Sequence, residues 1–171
     1  GAAAVVYEGA GRKLVLSLKH GDRLDVSPLV SGWMAARGGP LVDAADLIAP
    51  VPLHWRRLIQ RRYNQAGELA RDLAAQSDAA GALALDLLVR TRRTAVMDGK
   101  TRAERITNVA SAFEVDRRWK GRLSGKTVLL VDDVMTTGAT LSACAEILRQ
   151  GGAAHVNVLV FARVARGDWP T

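Results

Sequence analysis

The sequence has one cysteine, few aromatic residues and no long apolar run. Cys144 alone can form neither a disulfide within the chain nor a zinc site built from several cysteines. No segment approaches the roughly 20 apolar residues of a membrane span, and residues 1–7 lack the basic and apolar regions of a signal peptide. We therefore expect a cytoplasmic location for these 171 residues, which suit one domain with a hydrophobic core.

Acidic residues are in deficit. The chain carries 24 Lys and Arg against 17 Asp and Glu, a formal net charge of +7. This excess favours anionic partners, which include nucleic acid, membrane headgroups and polyphosphate substrates, and charge alone does not choose among them. The tryptophans are scattered and do not indicate the stacking platform of a single-strand binder.

Short apolar segments alternate with segments of helical periodicity, which predicts an α/β fold with a mostly parallel sheet and helices on both faces. The predicted strands are Ala45–Val51, Asp86–Val89, Val128–Val131 and Val156–Phe161. The predicted helices run from about residue 64 to 76 and from residue 139 to 150. Residues 8–20 and 28–37 also look helical, and we expect residues 1–40 to form a small cap or hood at one end of the sheet.

The most informative segment is residues 128–140, in which a buried strand, two carboxylates and a threonine-rich turn precede a helix. Ligands of open α/β sheets bind at the carboxyl ends of the strands. The turn Thr136–Thr140 offers backbone N–H groups, hydroxyls and a helix dipole to a phosphate, and Gly138 permits close backbone approach. Asp132 and Asp133 can accept hydrogen bonds from sugar hydroxyls, close to where a hydrated Mg²⁺ would be held. An interpretation as ordinary turn and cap residues explains each residue alone but not their order.

This segment closely resembles the motif with which type I phosphoribosyltransferases bind phosphoribosyl pyrophosphate (PRPP). Nearly the whole chain is similar to the ComF family of competence-associated, phosphoribosyltransferase-like proteins. Besides the motif, the similarity rests on Tyr7–Lys19, Pro50–His54, Arg61–Gln65, and Arg105–Asn108 with Phe113.

The resemblance implies the type I phosphoribosyltransferase fold and assigns roles to the motif. It implies that Asp132 and Asp133 hold the ribose hydroxyls, and that Mg²⁺ is the cofactor, held mainly by the substrate and not directly by the protein. It also implies a 5′-phosphate site made of Thr136, Thr137, Gly138, Ala139 and Thr140.

Two basic segments are candidates for the pyrophosphate site. The first follows the strand that ends at Val51, where type I enzymes carry a loop that contacts pyrophosphate. The second is the basic segment from residue 90 to 105, which by resemblance is the flexible loop that closes over the active site. The candidate contacts are Pro52, Leu53, His54, Arg61, Arg62, Arg93, Lys100 and Arg105. The alternative interpretation is that each segment is an exposed basic surface. For the second segment, this surface would contact nucleic acid.

Some features depart from recognised patterns. The segment Gly121–Thr127 looks like a P-loop, but it is one residue short and precedes a strand where a P-loop follows one. Arg62 stands where the family usually has glycine, and Met97 where glutamine is common; the four-cysteine zinc segment of many members is not among these residues. Thr136 occupies the position of an aspartate that serves the base in purine salvage, which argues against hypoxanthine–guanine salvage.

We expect an enzyme that transfers the phosphoribosyl group from PRPP to an amine or nucleobase and releases pyrophosphate. The alternative is a non-catalytic PRPP-binding or nucleotide-binding factor in DNA uptake, with DNA or the competence machinery as its partner; an oligomer is compatible with either. No catalytic residue is identified, because the carboxylates would bind ribose without transferring protons. Cys144 is expected to lie in the core, and His155 has no ligand partner at metal spacing.

Overall fold

A computed structural model describes residues 1–19, 24–53, 63–77, 81–91 and 112–165. The strands within these ranges are β1 Ala2–Val6, β2 Leu47–Pro50, β3 Ala82–Leu83, β4 Leu88–Arg90, β5 Phe113–Val115, β6 Thr127–Met135 and β7 His155–Arg163. The α-helices are α1 Gly9–Lys19, α2 Ser27–Asp43, α3 Gln65–Ala75 and α4 Ala139–Gln150. Short 3₁₀ turns lie at Leu24–Val26 and Arg117–Trp119.

Five of the strands form one parallel sheet in the order β1–β7–β6–β2–β3. The central strand β6 is apolar and fully buried from Val128 to Val131, as expected for a strand covered on both faces. Because the strands are parallel, their carboxyl ends lie along the same side of the sheet. We call this side the carboxyl edge; there β2 ends at Pro50 and β6 ends at Met135.

Each face of the sheet carries its own layer. Apolar residues of α1, α2 and α3 pack with Leu129 and Val131 on one face, whereas α4 and the pair β4–β5 pack with Val128 and Leu130 on the other. Helix α2 lies close to the sheet, since a Cβ atom on Gly38 would stand 2.5 Å from Leu159 Cδ1. Both layers are therefore anchored on the same central strands, and they bring α1 and α4 to opposite sides of β6.

The sequence correctly predicted α1, α3 and α4, and α2 extends the predicted helix at residues 28–37 to Ser27–Asp43. The strand predicted at Asp86–Val89 is observed at Leu88–Arg90, and it does not belong to the main sheet. It is β4, which pairs antiparallel with β5 in a separate two-stranded sheet. Leu87 and Leu88 pack into the cluster on the α4 side, and the edge position of the main sheet belongs to β3, which is too short to show periodicity.

The strand β6 also differs from its prediction. It does not end before the carboxylates but continues through them, since Asp132 pairs with Val160 and Met135 pairs with Arg163 of the equally long β7. The physical reason is that backbone pairing with a long neighbour continues where the apolar side chains stop. The two aspartates therefore belong to a strand and not to a turn.

The N-terminal segment contributes to the sheet as well as to the helical layer. Strand β1 pairs in parallel with β7, with Ala2 opposite Leu159, and its alanines gave no strand signal because small residues have low β-propensity. The role of residues 1–40 as a cap or hood stays a prediction. No helix within the described ranges is long and apolar enough to cross a membrane.

Candidate functional site

Asp132 and Asp133 are consecutive residues of β6, so the pleat directs their side chains to opposite faces of the sheet. Asp132 lies on the α4 side, where its charge acts on the thiol of Cys144. Asp133 lies on the α1 side, where its Oδ2 is 3.3 Å from Lys19 Nζ. The Asp133 backbone N–H donates to Asp132 Oδ1 at 2.9 Å. The two carboxylates thus flank the end of the central strand, one on each side.

The charge on Asp132 is poorly stabilised by its surroundings. Burial is the largest cause that raises the pKa of Asp132 well above its usual value, and the neighbouring Asp133 carboxylate raises it further. The Asp133 backbone N–H and the Lys19 ammonium lower this pKa without cancelling the rise. Carboxylates held close together at such a cost are typical of sites where a ligand supplies hydrogen-bond donors or a cation.

The threonine-rich turn leads directly into α4. Gly138 has a φ of 75° and precedes the first helical residue, Ala139, whose N–H donates to Thr137 Oγ1 at 3.3 Å. The first helical bond runs from the Ser142 N–H to the Gly138 carbonyl at 2.8 Å, so the N–H groups before it have no partner within the helix. Together with the helix dipole they form a suitable environment for an anion.

One pocket joins this turn to the strand end. It is lined by Asp132, Val134, Met135, Thr136, Thr137, Gly138, Ala139, Thr140 and Leu141. Asp132 and all five residues predicted to hold a 5′-phosphate therefore share a single concave surface at the carboxyl edge.

The first predicted pyrophosphate segment begins beside the same strand end. The Val51 N–H donates to the Val131 carbonyl at 2.9 Å, which places Pro52 and Leu53 at the carboxyl edge after the last paired residue of the segment. Asn64 Nδ2 donates to the Val51 carbonyl at 3.2 Å and ties the start of α3 to this turn. The remaining candidates lie outside the described residues: His54, Arg61, Arg62, Arg93, Lys100 and Arg105.

Reasoning from the sequence gave no role to Lys19, although the segment Tyr7–Lys19 was part of the family resemblance. A lysine at the end of a helix is ordinarily explained by the helix dipole, so the local pattern held no signal of its contact with Asp133. Arg90 was predicted only as a cation of the basic segment from residue 90 to 105, and the structure places it at the end of β4. Its Cζ lies 5.2 Å from the centroid of the Phe113 ring, and its charge lowers the pKa of Cys144, where Asp132 raises it.

The residues predicted to be structural behave as expected. Cys144 is buried in the core, and burial is the main cause that raises the pKa of its thiol to about 12. Gly121–Thr127 is a loop that leads into β6, with Lys126 paired to Asp46, so its rejection as a P-loop is confirmed. Among the residues that the structure describes, no group of three or more His, Cys, Asp or Glu side chains could hold a metal ion.

A parallel α/β sheet with adjacent carboxylates at the end of its central strand and a threonine-rich glycine turn before the next helix is the arrangement of phosphoribosyltransferase-type proteins. The family described as "Phosphoribosyl transferase domain" matches residues 64–169. The chain belongs to this family, in the branch that contains the competence proteins of the ComF group.

The relatives support this branch. The chain is 31% identical over 159 residues to the "DNA utilization protein YhgH" of Escherichia coli K12, covering 88% of this chain and 66% of that protein. It is 33% identical over 118 residues to "Competence protein F" of Haemophilus influenzae, covering 69% and 50%. The chain therefore spans two thirds or less of the length of these relatives. The solved structure of the allosteric regulatory enzyme of purine biosynthesis shares the fold, with a TM-score of 0.51 at 20% identity over 80% of this chain and 25% of that one.

Proposed function

We propose that this chain binds PRPP together with Mg²⁺ and transfers its phosphoribosyl group to an amine or a nucleobase. The observation that carries the proposal is the single pocket formed by Asp132 and the turn residues 136–140 at the carboxyl edge. One ligand that bears both a sugar diol and a phosphate would contact both halves of this pocket.

The two halves of the site would recognise different parts of the ligand. The carboxylates of Asp132 and Asp133 would accept hydrogen bonds from the ribose hydroxyls, and such charge-assisted bonds are the stronger kind. The N–H groups and hydroxyls around Gly138 would surround the 5′-phosphate. The cost of burying Asp132 beside Asp133 would then be offset when the ligand binds.

The residues present fit a substrate-held Mg²⁺. This ion prefers oxygen ligands, keeps several waters and is usually bound by one or two carboxylates together with substrate phosphates. Asp132 and Asp133 would orient its hydration shell and the ribose oxygens. When bound, the ion would neutralise charge on the leaving pyrophosphate.

In the proposed transfer, the bond between the ribose C1 and the pyrophosphate oxygen breaks, and a bond from C1 to the acceptor nitrogen forms. Pyrophosphate leaves with the bonding electron pair, and the acceptor nitrogen loses its proton to the surrounding solvent. The protein would act by positioning and electrostatics, without a covalent intermediate. No side chain is assigned a proton-transfer role in this reaction.

Pyrophosphate is assigned to the turn at Pro52 and Leu53 and to the basic segments that follow β2 and β4. The role of residues 90–105 as a closing loop is a prediction that hydrogen exchange tests. Exchange in this segment should slow with PRPP and Mg²⁺ but not with ribose 5-phosphate, because only PRPP carries the pyrophosphate that gathers the cations. Equally slow exchange in all states would contradict a closing loop, and slowing only with DNA would favour a nucleic-acid contact.

Calorimetric titration with PRPP and Mg²⁺ tests the binding step, and pyrophosphate release with a panel of amines and nucleobases tests transfer. Binding with release supports the enzyme. The names of the relatives refer to DNA utilization and competence. They favour the second candidate, a non-catalytic PRPP-binding factor with DNA or the competence machinery as partner. Binding of both PRPP and DNA without release would support that candidate, and absence of PRPP binding would contradict both. The cytoplasmic location stays a prediction.

A further inference from the structure

Lys19 is the last residue of α1, and its side chain reaches the end of the central strand on the face opposite α4. Its Nζ lies 3.3 Å from Asp133 Oδ2, and the side chains are 25% and 13% exposed. Ion pairs between fully exposed side chains contribute little because water screens them. This pair is largely sheltered, so its geometry has more effect on the carboxylate it contacts.

The end of α1 is itself held in place from a second direction. Tyr63 Oη donates a hydrogen bond of 2.9 Å to the Leu18 carbonyl, the residue before Lys19. Tyr63 stands just before α3, whose start is tied through Asn64 to the turn after β2. Leu18 is 1% exposed and packs in the core on this face. The position of the Lys19 backbone is thus fixed by packing and by a hydrogen bond next to it.

We propose that Lys19 is a positioning residue of the ribose site, which holds the Asp133 carboxylate in one orientation so that a sugar diol meets a preset acceptor. This inference rests on the proposed function. Lys19 acts through Asp133 and need not touch the ligand. The N-terminal helix α1 then takes part in ligand binding although it lies far in sequence from the motif at residues 132–140.

The main competing explanation is that Lys19 merely adds positive charge near an anion site. The two explanations differ in what they predict for two probes. Inorganic phosphate occupies only the turn around Gly138, on the α4 side, whereas ribose 5-phosphate also engages the carboxylates. A positioning residue affects the second probe much more than the first, whereas a general charge effect weakens both.

The experiment measures the affinity of the full chain for ribose 5-phosphate and for inorganic phosphate by calorimetry. Lys19→Met should weaken ribose 5-phosphate binding about tenfold, which is the size expected for one charge-assisted contact, and leave phosphate binding nearly unchanged. Lys19→Arg should restore most of the affinity. The matched control is Lys13→Met, which removes the same charge from an exposed position of the same helix.

A double-mutant comparison shows whether Lys19 acts through Asp133. In an Asp133→Asn background, Lys19→Met should cause no further loss of ribose 5-phosphate affinity, because the charge that it positions is already gone. Tyr63→Phe serves as a second variant that leaves Lys19 in place. It should lower the same affinity by a smaller factor, and thermal unfolding checks that each variant is folded.

The inference is overturned if Lys19→Met binds ribose 5-phosphate as wild type does, weakens both probes equally, or adds its full effect to Asp133→Asn. In these cases wild-type binding persists, and the proposed function stands without a positioning role for Lys19. If the wild-type chain binds neither ribose 5-phosphate nor PRPP, the proposed function fails, and the inference fails with it.

Discussion

The carboxylates beside the two ends of β6 have pKa values that are shifted in opposite directions. Where the strand begins, Asp46 Oδ2 accepts the Thr127 N–H at 2.8 Å, and its Oδ1 lies 3.1 Å from Lys126 Nζ. The pKa of Asp46 is lowered, first by the Thr127 hydrogen bond and then by Lys126. Where the strand ends, the pKa of Asp132 is raised by burial and by its neighbour Asp133.

This difference separates carboxylates that fasten the fold from the carboxylates that we propose bind a ligand. Asp46 precedes β2 and lies beside the amino end of β6, where Thr127 and Lys126 supply its hydrogen-bond donors. Asp116, in the loop before β6, follows the same rule, since Arg118 lowers its pKa to about 2. The pair at the carboxyl edge carries an electrostatic cost that the fold does not require, which is typical of functional sites.

The largest expected effect is on ligand affinity at the carboxyl edge. Asp132→Asn combined with Asp133→Asn should reduce PRPP affinity by at least about 100-fold, because each lost charge-assisted hydrogen bond costs roughly 1.5–3 kcal/mol. Calorimetric titration with PRPP and Mg²⁺ measures the loss. The control is Asp46→Asn, which precedes β2 and contacts the other end of β6, and this variant should bind PRPP normally. Unchanged affinity in a folded double variant would contradict the assignment of these residues to ribose.

The next effect concerns two glycines in the left-handed region near opposite ends of β6. Gly138 has a φ of 75° and Gly125 a φ of 73°, so a side chain at either position costs about 1–2 kcal/mol or more of backbone strain. Gly138→Val should abolish binding of phosphate-bearing ligands, since it also hinders close approach to the turn.

Gly125→Val is the matched control for strain alone. It should lower thermal stability by a similar amount and leave ribose 5-phosphate affinity intact. Titration with ribose 5-phosphate, run beside thermal unfolding of both variants, separates strain from binding. If Gly138→Val binds normally, the anion does not occupy this turn. If Gly125→Val loses affinity too, the contrast between the two ends of the strand fails.

The sequence predicted those parts of the fold that its local patterns determine. The apolar run Val128–Val131 predicted the central strand, because burial on both faces leaves a continuous apolar signature. The helical periodicity of residues 139–150 predicted α4. Strands β1 and β3 left no such signature, since they are made of small residues or are only two residues long. Their strand conformation depends on pairing with neighbours that are distant in sequence.

The same limit applies to the candidate site. The order of the motif predicted that Asp132 and residues 136–140 would lie together, because a strand, a turn and a helix N-terminus are consecutive in the chain, but Asp133 does not line their pocket. Lys19 and Asp133 meet because the end of α1 lies beside the end of β6, and no local pattern encodes that contact. The opposite orientation of Asp132 and Asp133 also escaped prediction, since it depends on β6 remaining a strand beyond Val131.

A smaller effect is expected on the stability of the Asp132→Asn variant, which should be more stable than wild type at neutral pH. The pKa of Asp132 in the folded state lies well above 3.8, the ordinary value of an aspartate in an unfolded chain. Between the unfolded-state pKa and the folded-state pKa, the native state therefore binds more protons than the unfolded state. Wild-type stability therefore falls as pH rises through this window. Asp132→Asn keeps an oxygen acceptor for the Asp133 N–H but removes the charge. It should unfold at a higher temperature than wild type at neutral pH, because the cost of the buried charge is removed.

Thermal unfolding across a pH series checks this prediction. The advantage of Asp132→Asn should shrink as pH falls and vanish below pH 3.8, where the wild-type carboxyl group is protonated in both states. Loss of ligand affinity together with gain of stability would mark Asp132 as a residue kept for binding. A variant less stable than wild type at neutral pH would show that the charge contributes to the fold instead.

The smallest effect, with the opposite sign, is expected for Asp46→Asn. The amide oxygen can still accept the Thr127 N–H, so the substitution removes the charge and the second oxygen, which accepts from Lys126. Because the pKa of Asp46 is lowered in the folded state, its stabilising contribution is present above the unfolded pKa and is lost as pH falls through the folded one. Asp46→Asn should therefore lower Tm slightly at neutral pH, less so in high salt, which screens an exposed pair. Its PRPP affinity should not change. If Asp46→Asn raised Tm as Asp132→Asn is expected to do, the two ends of β6 would not differ in kind, and the raised pKa of Asp132 would no longer distinguish a ligand site from an ordinary surface carboxylate.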